Sequence, residues 1–167
     1  MTNHEPGIVV EVANEQSLLE VDEPPIRRAV TQILEDAGYR RGLVSVALVE
    51  DQTIARLHAE YLGHQGPTDV LSFLLEGGEG WLEGEVVASA ERAVDVARLY
   101  GWPPEHELLL YAVHGTLHLV GYRDETPEQQ AEMRRQEGLY LGRVGIEAGR
   151  TRTDAVGRGD RGGERTA

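Results

Sequence analysis

Apolar positions along this chain change period several times, and each change marks an element. Residues 8–12, Ile-Val-Val-Glu-Val, form a short β-branched run of strand type. Pro24 and Pro25 then open a stretch in which Ile26, Ala29, Val30, Ile33, Leu34 and Ala37 recur at helical spacing. Gly38 and Gly42 bracket a turn before 43–49, an apolar and partly alternating run that suits a second strand. Asp51 can cap a helix over 52–61, with Ile54, Leu57 and Tyr61 on one face. After a Gly-Pro turn, 67–75 reads as a third strand, the glycine-rich 76–80 as a loop, and 81–89 as a fourth strand that closes a hairpin. A helix follows from Ala90 to Leu99, Gly101-Trp102-Pro103-Pro104 breaks it, and a new helix runs from Glu105 to about Val120. Thr126, Pro127 and Gln129 supply an N-cap, a first-turn proline and a capping-box partner, so a last helix starts there.

This order predicts an α+β fold: a mixed sheet of about four strands with helices packed on it. Residues 1–146 read as one domain, of a size that buries an ordinary core. From 147 to 167 the apolar pattern stops and Gly, Arg and Asp dominate, so the tail is expected to be disordered. No internal repeat is visible.

Composition narrows the chemistry. The 167 residues contain no cysteine, so disulfides, thiolate ligands and a Cys nucleophile are excluded, and any metal must be held by His and carboxylate. No run of about 18 apolar residues can span a bilayer, and the N-terminus lacks a secretory pattern, which predicts a cytoplasmic protein with no membrane partner. A formal charge of −13 argues against broad, charge-driven binding to nucleic acid, and no DNA partner is expected. Arginines 27, 28, 40, 41, 134 and 135 read as solvated helix faces.

The chemically distinctive segment is 113–124, Val-His-Gly-Thr-Leu-His-Leu-Val-Gly-Tyr-Arg-Asp. His114 and His118 lie four apart on a helix, so their side chains share a face with Cβ atoms roughly 6 Å apart. Gly121 can end that helix in a left-handed conformation and turn Asp124 back toward the same point. Two helical ligands and one from the following turn suit a tetrahedral ion, most simply one Zn²⁺, with a position left for water. The spacing has the logic of the H-E-x-x-H metalloproteases, but Gly115 stands where their glutamate base would be. Peptide hydrolysis by their route is therefore not supported, and the catalytic base is unassigned.

These residues also carry a resemblance. The run His114-Gly115-Thr116-Leu117-His118-Leu119-Val120-Gly121-Tyr122 resembles the hallmark H-G-x-L-H-L-x-G-Y-D-H of the YbeY family of bacterial ribosome-maturation endoribonucleases. Pro67-Thr68-Asp69-Val70-Leu71-Ser72-Phe73 is similar to that family's PTDVLSF strand, and Gly84-Glu85-Val86 sits where the family has G-D-I. The likeness runs over about residues 8–140. It implies a metal-dependent endoribonuclease acting on single-stranded RNA, in 16S rRNA 3′-end maturation and ribosome quality control, with rRNA and ribosomal particles as partners.

Two positions depart from the pattern. The family's final D-H is Arg123-Asp124 here, so aspartate replaces the third metal-binding histidine, and a carboxylate is an acceptable ligand. Upstream, the family's Arg-Gly is Leu62-Gly63, which removes an arginine implicated in RNA cleavage. A ribosome-associated binding factor with a structural metal, or a metallohydrolase of non-RNA substrates, are the alternative readings. Thr68, Asp69 and Ser72 are candidates to line the cleft or orient a metal-binding histidine, and His64 to supply a proton or phosphate contact. Glu85 and Glu105 are candidate bases. His106 lies two turns before His114, roughly 12 Å away along the axis, too far to join the cluster.

Overall fold

The computed structural model describes residues 7–50, 53, 54, 56 and 69–146. In chain order the described elements are β1 (Ile8–Asn14), α1 (Glu23–Asp36), β2 (Arg41–Val49), β3 (Val70–Gly78), β4 (Trp81–Ser89), α2 (Ala90–Tyr100), α3 (Pro104–Leu119) and α4 (Pro127–Arg143). Thr53, Ile54 and Arg56 are helical, within the helix expected over 52–61. Leu62, His64, Thr68 and the tail expected to be disordered all lie outside the described residues.

The four strands form one mixed sheet in the order β1-β2-β4-β3, so the expected α+β architecture is the one observed. β1 pairs parallel with β2, and β2 parallel with β4, while β3 runs antiparallel along the outer side of β4. Parallel pairing needs a crossover, and α1 supplies it between β1 and β2. Its buried residues Ile26, Ala29, Val30, Ile33 and Leu34 are the stripe read from the sequence. No helix among the described residues is long and apolar enough to cross a membrane.

The third strand differs from its expected span. It starts at Val70 and continues through the glycine-rich segment to Gly78, so only Glu79 and Gly80 make the turn. Gly80 carries a positive φ of 76°, which the turn demands, and the Trp81 indole lies over Gly78 where a side chain would collide with it. Two glycines that look like loop are here strand residues, and Gly78 lies under an aromatic ring.

Helix α3 organises the core. Its sequence is apolar nearly all round, and such a helix is stable only when surrounded. It packs on β3 and β4 on one side and on α1, α2 and α4 on the others. The approach to the sheet is close enough to require glycine: a Cβ on Gly115 would stand 2.6 Å from Val86 Cγ1 and 3.0 Å from Ser72 Oγ, and one on Gly84 2.9 Å from Leu119. The Ser72 hydroxyl donates to the Gly115 carbonyl at 2.8 Å and pins the crossing. A smaller cluster of Val49, Ile54, Leu71 and Val87 covers part of the opposite sheet face.

Helix α4 begins as its sequence predicts. The Thr126 side chain accepts from the Gln129 backbone, the Gln129 side chain accepts in return from the Thr126 backbone, and Pro127 opens the first turn. Its far end is clamped to α1, where Tyr140 Oη and Arg143 Nη1 each donate to Asp36 Oδ2 at 2.7 Å. The Tyr140 bond, then that of Arg143, holds the Asp36 carboxyl below its usual range.

Two outcomes follow for stability. Gly115→Ala gains about 1 kcal/mol of helix propensity but overpacks against the stiff Val86, at a cost of about 1–3 kcal/mol, so a net loss of about 1 kcal/mol is expected in denaturant titration. Asp36→Asn loses about 0.5–1 kcal/mol at neutral pH, a figure discounted because Asp36 and Arg143 are both more than 40% exposed. A depressed folded pKa contributes stability above the ordinary carboxylate range and loses it as pH falls through the folded value. The gap between wild type and Asp36→Asn should therefore narrow below about pH 4, as read from unfolding midpoints across pH.

Candidate metal centre

His114 and His118 lie in the last turns of α3. Beyond them the helix ends as expected at Gly121, whose φ is 110°. The Gly121 N–H donates to His118 O and the Tyr122 N–H to Leu117 O, both at 3.0 Å, which folds the chain back over the helix end. The reversal brings Asp124 to the histidines.

Three atoms converge: His114 Nε2, His118 Nε2 and Asp124 Oδ2. The two nitrogens are 3.1 Å apart, and the carboxylate oxygen is 3.4 Å from the first and 3.5 Å from the second. A tetrahedral ion with N and O ligands at about 2.0–2.1 Å has ligand-to-ligand edges of about 3.3–3.4 Å. The spacing fits.

The outer nitrogens fix the chemistry of the inner ones. His114 Nδ1 meets Glu137 Oε2 at 2.6 Å, and His118 Nδ1 meets the Tyr122 carbonyl at 2.9 Å. Both partners accept, so each Nδ1 carries the proton and donates it, which leaves each Nε2 with a lone pair aimed at the common point. Two lone pairs and a carboxylate facing one another form a site that calls for positive charge at its centre. His114 and Glu137 are both fully buried, so leaving that demand unmet would be costly.

The same demand is felt by Asp124. Burial raises its pKa, but where protons occupy the inner Nε2 atoms in place of an ion, hydrogen bonding and positive charge at His114 and His118 outweigh this and hold it well below the usual carboxylate range. Its backbone carbonyl accepts from Gln130 Nε2 at 3.2 Å, tying the turn to α4.

Glu137 is not among the residues that the sequence singles out. The signal was present. Met133, Glu137, Tyr140 and Leu141 recur at i, i+4, i+7 and i+8 and are the buried residues of α4, so Glu137 is a carboxylate on an apolar stripe.

The other candidates sit elsewhere. Ser72 serves the crossing of α3 over β3 through its bond to Gly115. Asp69 is buried just before β3, and its carbonyl accepts from the Ser89 N–H at 2.9 Å. Gly84 and Val86 face α3, so strand alternation turns Glu85 to the opposite sheet face. Glu105 and His106 line a cavity of about 320 Å³ at the other end of α3, walled also by Asp22, Ile26 and Ile146. His106 stacks edge-on against Trp102 there, outside the cluster as its distance predicted.

Comparison with known proteins agrees with the motif. Residues 11–145 match the family model described as Endoribonuclease YbeY. A protein named Endoribonuclease YbeY from Rhodopirellula baltica is 47% identical over 112 residues, which are 66% of this chain but only 58% of that one. Two others of that name align over nearly their whole length. The Symbiobacterium thermophilum protein is 40% identical over 81% of this chain and 96% of its own. The Carboxydothermus hydrogenoformans protein is 38% identical over 83% of this chain and 99% of its own. The solution structure of a Thermotoga maritima protein superposes with a TM-score of 0.57 at 22% identity, covering 93% of this chain and all of that one, which shows a shared fold.

Glu137→Gln keeps the shape and an acceptor but removes the charge behind His114. Divalent metal affinity should fall by about 10–100-fold in competition dialysis, with the thermal midpoint measured alongside to confirm folding.

Proposed function

The chain belongs to the Endoribonuclease YbeY family, and on that premise we propose that it is a metal-dependent hydrolase that cuts single-stranded RNA. Its place would be 16S rRNA 3′-end maturation and ribosome quality control in the cytoplasm, with ribosomal particles as partners and residues 1–146 as the working unit. The observation that carries the proposal is the tripod of His114, His118 and Asp124, with both imidazoles locked in the tautomer that presents Nε2.

One divalent ion, zinc in the simplest case, suits this donor set and its spacing. When bound, such an ion supplies a Lewis acid that polarises a phosphoryl oxygen and acidifies water. The protein's part is to hold and orient. His114 and His118 are fixed by Glu137 and the Tyr122 carbonyl, and Asp124 stays ionised in a partly buried turn at 20% side-chain exposure. That exposure leaves the centre open on the Asp124 side, where a flexible strand can approach more readily than a rigid duplex.

A second reading has one sequence feature in its favour. Leu62 stands where the family pattern has arginine, which favours a ribosome-associated factor that binds without cutting.

The test is a cleavage assay on a single-stranded rRNA fragment, run beside elemental analysis of the protein as purified. Wild type should carry about one equivalent of metal and cut the RNA, chelation should abolish cutting, and His118→Ala should lose about 100-fold or more in rate. Metal-loaded wild type that binds ribosomal particles yet cuts no faster than Asp124→Ala would select the binding factor. Peptidase turnover lost on chelation would instead favour a non-RNA hydrolase.

A further inference from the structure

The third arm of the tripod is a carboxylate oxygen where the matching motif has an imidazole, and that exchange alters charge, donor hardness and coordination number together. We propose that Asp124 sets the class of ion this centre takes, narrowing its preference for zinc over harder divalent ions such as manganese(II) and iron(II). The inference rests on the assignment of His114, His118 and Asp124 as ligands.

Charge is the first argument. With both Nδ1 protons donated outward, the two imidazoles are neutral, and the negative groups at the centre are the Asp124 carboxylate and the Glu137 carboxylate behind His114. Together they balance a dication. A third imidazole at 124 would leave one positive charge over, beside His114 and Glu137 side chains that water does not reach.

Donor type is the second. Imidazole suits zinc, nickel and copper, whereas carboxylate oxygen raises relative affinity for manganese and iron. Two histidines and one carboxylate with open positions is a set used by iron(II) as well as by zinc. Coordination number is the third. A carboxylate can add its second oxygen to the metal and so serve ions that prefer five or six ligands, which an imidazole cannot do. Asp124 can make that adjustment because it lies outside the helix, on a turn anchored by backbone rather than by its carboxylate: the Tyr122 carbonyl goes to His118 and the Asp124 carbonyl to Gln130.

Zinc and manganese dissociation constants, measured by competition dialysis with elemental readout, test this on the full chain. Wild type, Asp124→His and Asp124→Glu are compared, with circular dichroism to confirm that each is folded. Asp124→His should raise the zinc-over-manganese affinity ratio by about tenfold or more, while Asp124→Glu stays within about threefold of wild type. An unchanged ratio in Asp124→His overturns the inference, as does an equal rise in Asp124→Glu. Wild type that binds neither ion overturns the ligand assignment as well, and RNA cleavage persisting in such a sample would place the catalytic centre elsewhere.

Discussion

Where α3 crosses β3 and β4, the backbones approach so closely that Gly115 and Gly84 are the residues that fit. That contact sets the rotation of the helix about its own axis. With Gly115 turned into the sheet, His114 and His118 are carried to the side from which the Tyr122–Asp124 turn and α4 can reach them. The same constraint explains why this helix lacks the glutamate of the metalloproteases whose spacing it shares. A side chain at 115 would be driven into Val86, so a base at that position is incompatible with this packing.

The centre is built from groups that a core would otherwise reject. A buried imidazole and a buried carboxylate each cost several kcal/mol in isolation, and together at 2.6 Å they offset one another. Satisfying Nδ1 from outside fixes what Nε2 can do inside, so the second layer of contacts decides the chemistry of the first. Helix α4 serves this purpose through two features at its ends: the capping box that starts it beside Asp124, and the clamp of Tyr140 and Arg143 on Asp36. Glu137 lies between them, one turn before Tyr140, and is positioned by both.

Most of the fold was legible because strong local signals agreed with the packing. The α1 stripe, the break at Gly101–Pro104 and the Thr126 capping box each have one structural solution. The third strand was misjudged because glycine is a loop signal whenever its neighbour is unknown, and the neighbour here is the Trp81 ring three residues on. The convergence of the candidate ligands was legible for a similar reason: His114, His118 and Asp124 are close in sequence and governed by one helix and the one turn at Gly121. Glu137 is 23 residues from its partner, so only its place on an apolar stripe could have exposed it.

Edge strand β3 has a paired neighbour on one side only among the described residues, and it presents Leu74 and Leu75 at 58% and 61% exposure. Such a strand invites a second chain to zip onto it. Its register against β4 slips between Leu74 and Glu76, which leaves Leu75 as an extra residue. A bulge of this kind breaks the even ladder of donors and acceptors that an incoming strand needs. The two exposed leucines therefore sit at the one place on β3 where the template is interrupted, so the stickiest part of the edge is also its poorest seed for aggregation.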